Sequence, residues 1–97
     1  MYVILTSKPG QFRTETDDAL EPVETYDYYF CERKRAQFVI ARLLREAKIR
    51  IIDESLPPVV NLVPSRFLPR FDSVEQARSD LRKLVGVRNL NSNLVKV

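Results

Sequence analysis

The chain has no histidine and no tryptophan, one cysteine and two glycines among 97 residues. Each scarcity removes a class of chemistry. Without histidine there is no Ser-His-Asp or Cys-His nucleophile system, and the commonest general base is gone. Zinc sites lose their usual nitrogen ligand, and a single thiol cannot build a cysteine-rich metal or iron–sulfur centre. Gly10 and Gly86 stand alone, so no glycine-rich loop can bring successive backbone N–H groups to a phosphate. The acidic pairs Asp17-Asp18 and Asp53-Glu54 match no EF-hand loop, and adjacent carboxylates of this kind usually lie in solvent. The sequence therefore nominates no catalytic residue, no cofactor and no metal site.

Cys31 allows no internal disulfide, which is poor material for an exported domain. It reads as a small buried apolar residue, or as a thiol activated by Arg33, Lys34 and Arg35. Met1 to Leu5 is too short an apolar run for a signal peptide, and Ala36 to Leu44 is too short to span a bilayer. The expectation is a cytoplasmic protein without a membrane partner.

What is present is a globular balance, 44% hydrophobic and 30% charged, in a length that suits one domain over residues 1–97. The net charge of +3 is unevenly spread. Residues 1–32 hold two basic and seven acidic side chains, a balance of −5. Residues 33–52 hold seven basic and one acidic, a balance of +6, and the remainder adds +2. Such segregation marks a surface for an acidic partner or nucleic acid, unless the two segments lie together and neutralise.

Strands are expected over Tyr2 to Leu5, Phe12 to Thr16, Val23 to Cys31, Lys48 to Asp53, Val59 to Val63 and Leu94 to Val97. Asp17 to Pro22 and Asn89 to Asn93 read as polar connectors. Along Val23 to Cys31, Tyr26, Tyr28 and Phe30 share one face, suited to sheet packing or to stacking a ligand. From Arg33 to Lys48, the apolar positions Ala36, Val39, Ile40, Leu43, Leu44 and Ala47 fit an amphipathic helix. The competing reading makes Ala36 to Leu44 a strand in a meander. Pro64 and Pro69 exclude a regular helix across Ser65 to Phe71. A final helix opens at Ser73 with Gln76, buries Val74, Ala77, Leu81, Leu84 and Val85, and stops at Gly86.

This order predicts an α+β domain of the ferredoxin-like βαββαβ plan, with an extra N-terminal strand or hairpin. The alternative is a β-meander or small barrel with one C-terminal helix. On the helical reading, Phe38 falls on the polar side with Arg35, Arg42 and Arg45, an exposed aromatic among cations. The repeated Arg-Phe of Arg66-Phe67 and Arg70-Phe71 adds two more arginines in an extended stretch. Its apolar residues Phe67, Leu68 and Phe71 have the bland role of pinning that crossover to the core. Arg35, Phe38, Arg42, Arg45, Arg66 and Arg70 are the candidate partner-binding residues.

The functional expectation is a non-catalytic interaction protein, an accessory or regulatory subunit that binds another protein. The alternatives are a nucleic-acid-binding module using the basic segment 33–50, and a small histidine-free enzyme. A dedicated nucleic-acid binder would carry a larger basic excess than +3.

Overall fold

The computed structural model describes residues 1–86 and 92–97. These residues form seven strands and one α-helix, in the order β1 (Tyr2–Ser7), β2 (Phe12–Thr14), β3 (Leu20–Phe30), β4 (Arg33–Leu43), β5 (Lys48–Asp53), β6 (Val59–Pro64), α1 (Val74–Val85) and β7 (Ser92–Lys96). A 3₁₀ turn at Ser65–Phe67 follows β6. Two antiparallel sheets result, one ordered β1-β4-β3-β7 and the other β2-β5-β6. The α+β class holds loosely, since sheet dominates. The ferredoxin-like plan does not appear, because its first helix is absent. The one α-helix among the described residues lies near the C-terminus, as in the alternative reading.

The segment expected to be helical is β4, the centre of the larger sheet, paired with β1 on one side and β3 on the other. Both of its faces are covered, which explains the misleading pattern. Ala36 and Phe38 pack with Leu81 of α1, while Ala41 packs with Val3, Leu5, Leu20 and Ile49 on the opposite face. Apolar residues then crowd the strand on consecutive positions, and the interruptions at Gln37 and Arg42 mimic a helical stripe. The branched and aromatic run Phe38-Val39-Ile40 fits this two-sided site. No Ser, Thr, Asp or Asn stands at residues 29–36 to cap a helix, and Cys31-Glu32 is a two-residue hairpin loop between β3 and β4.

Cys31 and Glu32 have φ of 51° and 63°, the positive values that a type I′ hairpin turn demands at both central residues. Neither is the glycine or asparagine that would have revealed the turn in the sequence. Cys31 is exposed there, against the buried alternative. The paired change Cys31→Asn with Glu32→Gly should raise stability by about 1 kcal/mol, by relieving left-handed backbone at side-chain-bearing residues. An unchanged urea midpoint would mean that the turn tolerates them at no cost.

Two bulges shape the larger sheet. Pro22 pairs with Ala41 and Glu24 with Ile40, leaving Val23 as an extra residue on β3. Without it, Leu20, Pro22, Glu24, Tyr26 and Tyr28 would all share a face by the period of two. The bulge reverses the parity, so Leu20 faces the smaller sheet while Glu24, Tyr26 and Tyr28 face α1. Farther along, Tyr28 pairs with Ala36 and Tyr29 with Lys34, leaving Arg35 as an extra residue on β4.

The smaller sheet joins the core through Ile49 and Ile51, and through Thr14, whose N–H donates to Ser7 Oγ at 2.9 Å. Ser65 is buried at the corner between β4 and β5. Its hydroxyl accepts from the Ala47 N–H at 3.0 Å and donates to Glu46 Oε2 at 2.8 Å. Leu68 packs against the core and Phe71 bridges to Tyr2, so these two do pin the crossover. Phe67 does not: it is 67% exposed.

The last helix starts and stops where its chemistry indicated. Ser73 Oγ accepts from the Gln76 N–H, the Gln76 side chain accepts from the Asp72 N–H, and Gly86 closes it in the left-handed region at φ 58°. Ala77 and Leu81 are its buried residues, with Val85 packed beside them; Leu84, placed in the buried stripe, is exposed. The connector expected at Asn89 to Asn93 lies outside the described residues up to position 91, and Ser92 and Asn93 belong to β7. No helix among the described residues is long and apolar enough to cross a membrane.

Candidate functional site

The six arginine and phenylalanine positions do not form one face. Phe38 is 5% exposed, in the core under α1, and cannot meet a partner as a surface ring. The helical spacing that grouped it with Arg35, Arg42 and Arg45 does not exist. Arg45 pairs with Asp18 at 2.8 Å, and Arg42 lies exposed on β4 between Tyr2 and Glu21. Arg70 pairs with Glu46, and Arg66 stacks over the Phe67 ring at 5.1 Å from its centroid. Arg66 and Arg70 are brought together electrostatically, since both favour the charged form of Glu46. Its carboxyl is lowered below the usual range, first by the Ser65 hydroxyl and then by Arg70.

Charge segregation is partly resolved by proximity. Lys34 pairs with Asp27, Arg45 with Asp18 and Arg50 with Glu15, each joining the basic segment to the acidic first third. Lys8, Arg33, Arg35, Arg42 and Lys48 take part in no ion pair among the described residues.

Sequence reasoning missed the densest polar cluster. Glu24, its side chain 6% exposed, receives Arg78 Nε on Oε1 at 2.6 Å and Arg78 Nη2 on Oε2 at 2.7 Å. Lys96 Nζ lies 2.9 Å from Oε2, and the Tyr26 hydroxyl donates to Oε1 at 3.0 Å. These contacts hold the carboxyl at about 2, from an ordinary 4.5; Arg78 is the largest cause, Lys96 follows, and burial opposes both. The cluster ties β3, β7 and α1 together, and no buried side-chain polar atom among the described residues is left without a partner, so it reads as a clamp. Alternation alone puts Glu24 on the face of Tyr26 and Tyr28, but Arg78 and Lys96 reach it from α1 and β7, far away in the chain, which no local spacing reveals.

Two surfaces remain open. The first is a cleft of about 480 Å³ beside the C-terminal end of α1, lined by Lys8, Tyr28, Arg35 and Phe38 among others. The second is the smaller sheet. Among the described residues its strand β6 pairs with β5 alone, leaving an open edge, and Val59–Pro64 carries no charged side chain. Val59, Val60 and Leu62 are exposed, and Leu56 before them is 94% exposed. By register, Val60 and Leu62 share a face with Ile52, Arg50 and Arg13, and alternation adds Lys48. That face is apolar at the edge and carries three cations behind it, two of which, Arg13 and Arg50, pair with Glu15.

Among the described residues, no group of three or more Cys, Asp and Glu side chains could hold a metal ion. Comparison with protein families, with curated proteins and with solved structures finds no match to this chain.

Proposed function

We propose that the domain is a non-catalytic interaction module that binds another protein, acting as an accessory or regulatory subunit. The observation that carries this reading is the uncharged, apolar open edge of β6. Edge strands are ordinarily blunted by charge, proline or a bulge, because an open row of backbone groups templates pairing. Here prolines stand only at the margins, at Pro57, Pro58 and Pro64, and the strand between them is bare. The occupant that fits is an extended segment of a partner, added as a fourth strand, with apolar residues against Val60 and Leu62. Lys48 on the same face takes part in no ion pair among the described residues, and Arg50 and Arg13 share the single carboxylate of Glu15, so the net positive charge left there favours acidic residues in that segment.

The test uses a nine-residue peptide of alternating valine and glutamate, followed by fluorescence anisotropy, with a valine–lysine peptide as control. The glutamate peptide should bind more tightly, and more so at low salt. Leu62→Lys should weaken it by about 2 kcal/mol, the usual size of an interface anchor, while leaving the thermal midpoint nearly unchanged. Equal binding of the two peptides, or binding indifferent to Leu62→Lys, would overturn the assignment. Dimerisation abolished by Leu62→Lys would make a second copy the occupant. Retention of RNA or duplex DNA with a steep salt slope would favour the nucleic-acid alternative instead.

A further inference from the structure

The cleft beside α1 is independent of the β6 edge, and its chemistry differs. Its floor is aromatic, from Tyr28 and buried Phe38, and Leu84 and Val85 of α1 form an apolar wall. Its cations are Lys8 and Arg35, neither in an ion pair among the described residues, and no carboxylate is among its lining residues. A volume of about 480 Å³ lies within the range of roughly 300–1,000 Å³ of small-molecule sites.

Arg35 reaches this cleft through the second bulge. In a regular strand, Arg35 and Ala36 would point to opposite faces. Both line the same cleft, because Arg35 is the unpaired extra residue opposite Tyr28 and Tyr29. Re-aiming one side chain is what a bulge does, and bulges concentrate beside binding sites. Lys8 comes from the turn that ends β1, one residue past the Ser7–Gln37 pair. Two chain segments therefore present cations to one hollow. An adjoining hollow of about 290 Å³ shares Thr6 and Leu84 with the cleft and holds Asp80, whereas Lys8 and Arg35 do not line it. An anionic group is thus directed toward Arg35 and Lys8, away from Asp80.

We infer that this cleft binds a small organic anion, with an apolar ring or chain against Tyr28 and Leu84 and its charged group on Arg35 and Lys8. A carboxylate, sulfonate or phosphate meets the same requirement, since each offers oxygens to a guanidinium fork and an ammonium.

The experiment uses 1-anilinonaphthalene-8-sulfonate as the anionic probe and N-phenyl-1-naphthylamine as its neutral counterpart. Titration is followed by fluorescence and by amide shifts in ¹⁵N-labelled protein. The sulfonate should bind with shifts centred on Tyr28, Arg35, Ala36 and Leu84. Arg35→Gln and Lys8→Gln should each weaken it roughly tenfold, a usual loss for one charge-assisted contact, without changing affinity for the neutral probe. Both side chains are exposed, so thermal midpoints should stay at the wild-type value. Decanoate and phenyl phosphate should compete with the sulfonate and depend on the same two cations. Failure of the sulfonate to bind, affinity unchanged in both variants, or shifts centred on Val60 and Leu62 would overturn the assignment. The Leu62→Lys variant should retain the site, so its outcome and that of the peptide experiment are separable.

Discussion

Phe38→Ala should lower folding stability by about 3–5 kcal/mol, measured by urea unfolding with the slope held constant. Its ring sits between the sheet and α1, packed with Ala36 and Leu81 and flanked by Tyr26 and Tyr28. Removing it leaves a cavity on the sheet face that carries the only helix among the described residues, and rigid strands cannot collapse to fill it. Domains of this size hold roughly 5–15 kcal/mol in total, so the variant should be close to the edge of folding. Leu81→Ala, from the helix side of the same cluster, should cost about 2–5 kcal/mol. The two losses should not add, because the residues touch and share one cavity. A loss under about 1 kcal/mol at Phe38 would mean that α1 does not cover this face. That result would also restore the ring as a surface group.

Glu24→Gln should be the most damaging polar substitution, by roughly 2–3 kcal/mol near neutral pH. The folded carboxyl titrates at about 2 and an ordinary one at 4.5. One unit corresponds to about 1.4 kcal/mol, and solvent at the exposed sides of Arg78 and Lys96 reduces the full value. The sign follows from linkage: the folded form binds its proton less readily than the unfolded chain. The stabilisation is therefore fully present above pH 4.5 and is lost as pH falls toward 2. Wild type and Glu24→Gln should differ most at pH 7 and converge near pH 2. Other carboxylates, Glu46 among them, add to the acid sensitivity of both proteins and cancel in the difference. A gap independent of pH would show that packing, and not charge, makes the clamp.

The parts of this fold legible in the sequence are those decided within a few residues. Ser73 meets Gln76 inside one helical turn, and Gly86 enters the left-handed region with no side chain to oppose it. The strands around Ile49 to Ile52 and Val59 to Val63 declare themselves by branched residues between turn signals. Residues 36–43 do not, because the apolar spacing of a strand buried on both faces overlaps that of a helix. Local propensity cannot separate them; the choice is made by β1 on one side and β3 on the other.

The candidate sites follow the same division. The sequence marks Val59 to Val63 as a strand, but that it becomes an open edge depends on the pairing of β5 with β2 and β6. Charge segregation was legible, while its partial cancellation by Asp18, Asp27 and Glu15 needed the sheets to bring distant segments together. The Glu24 cluster and Arg35 were beyond reach, since Glu24 meets Arg78 and Lys96 from distant elements and Arg35 owes its direction to one unpaired residue in a register. By itself the sequence determined the caps, most strands and the absence of histidine chemistry, all matters of residue identity and short spacing. Tertiary structure alone decided the nature of β4, the burial of Phe38, the partners of Glu24 and the aim of Arg35. The physical reason is that a strand has no internal hydrogen bonds: its partners, and any bulge between them, determine which side chains face the core.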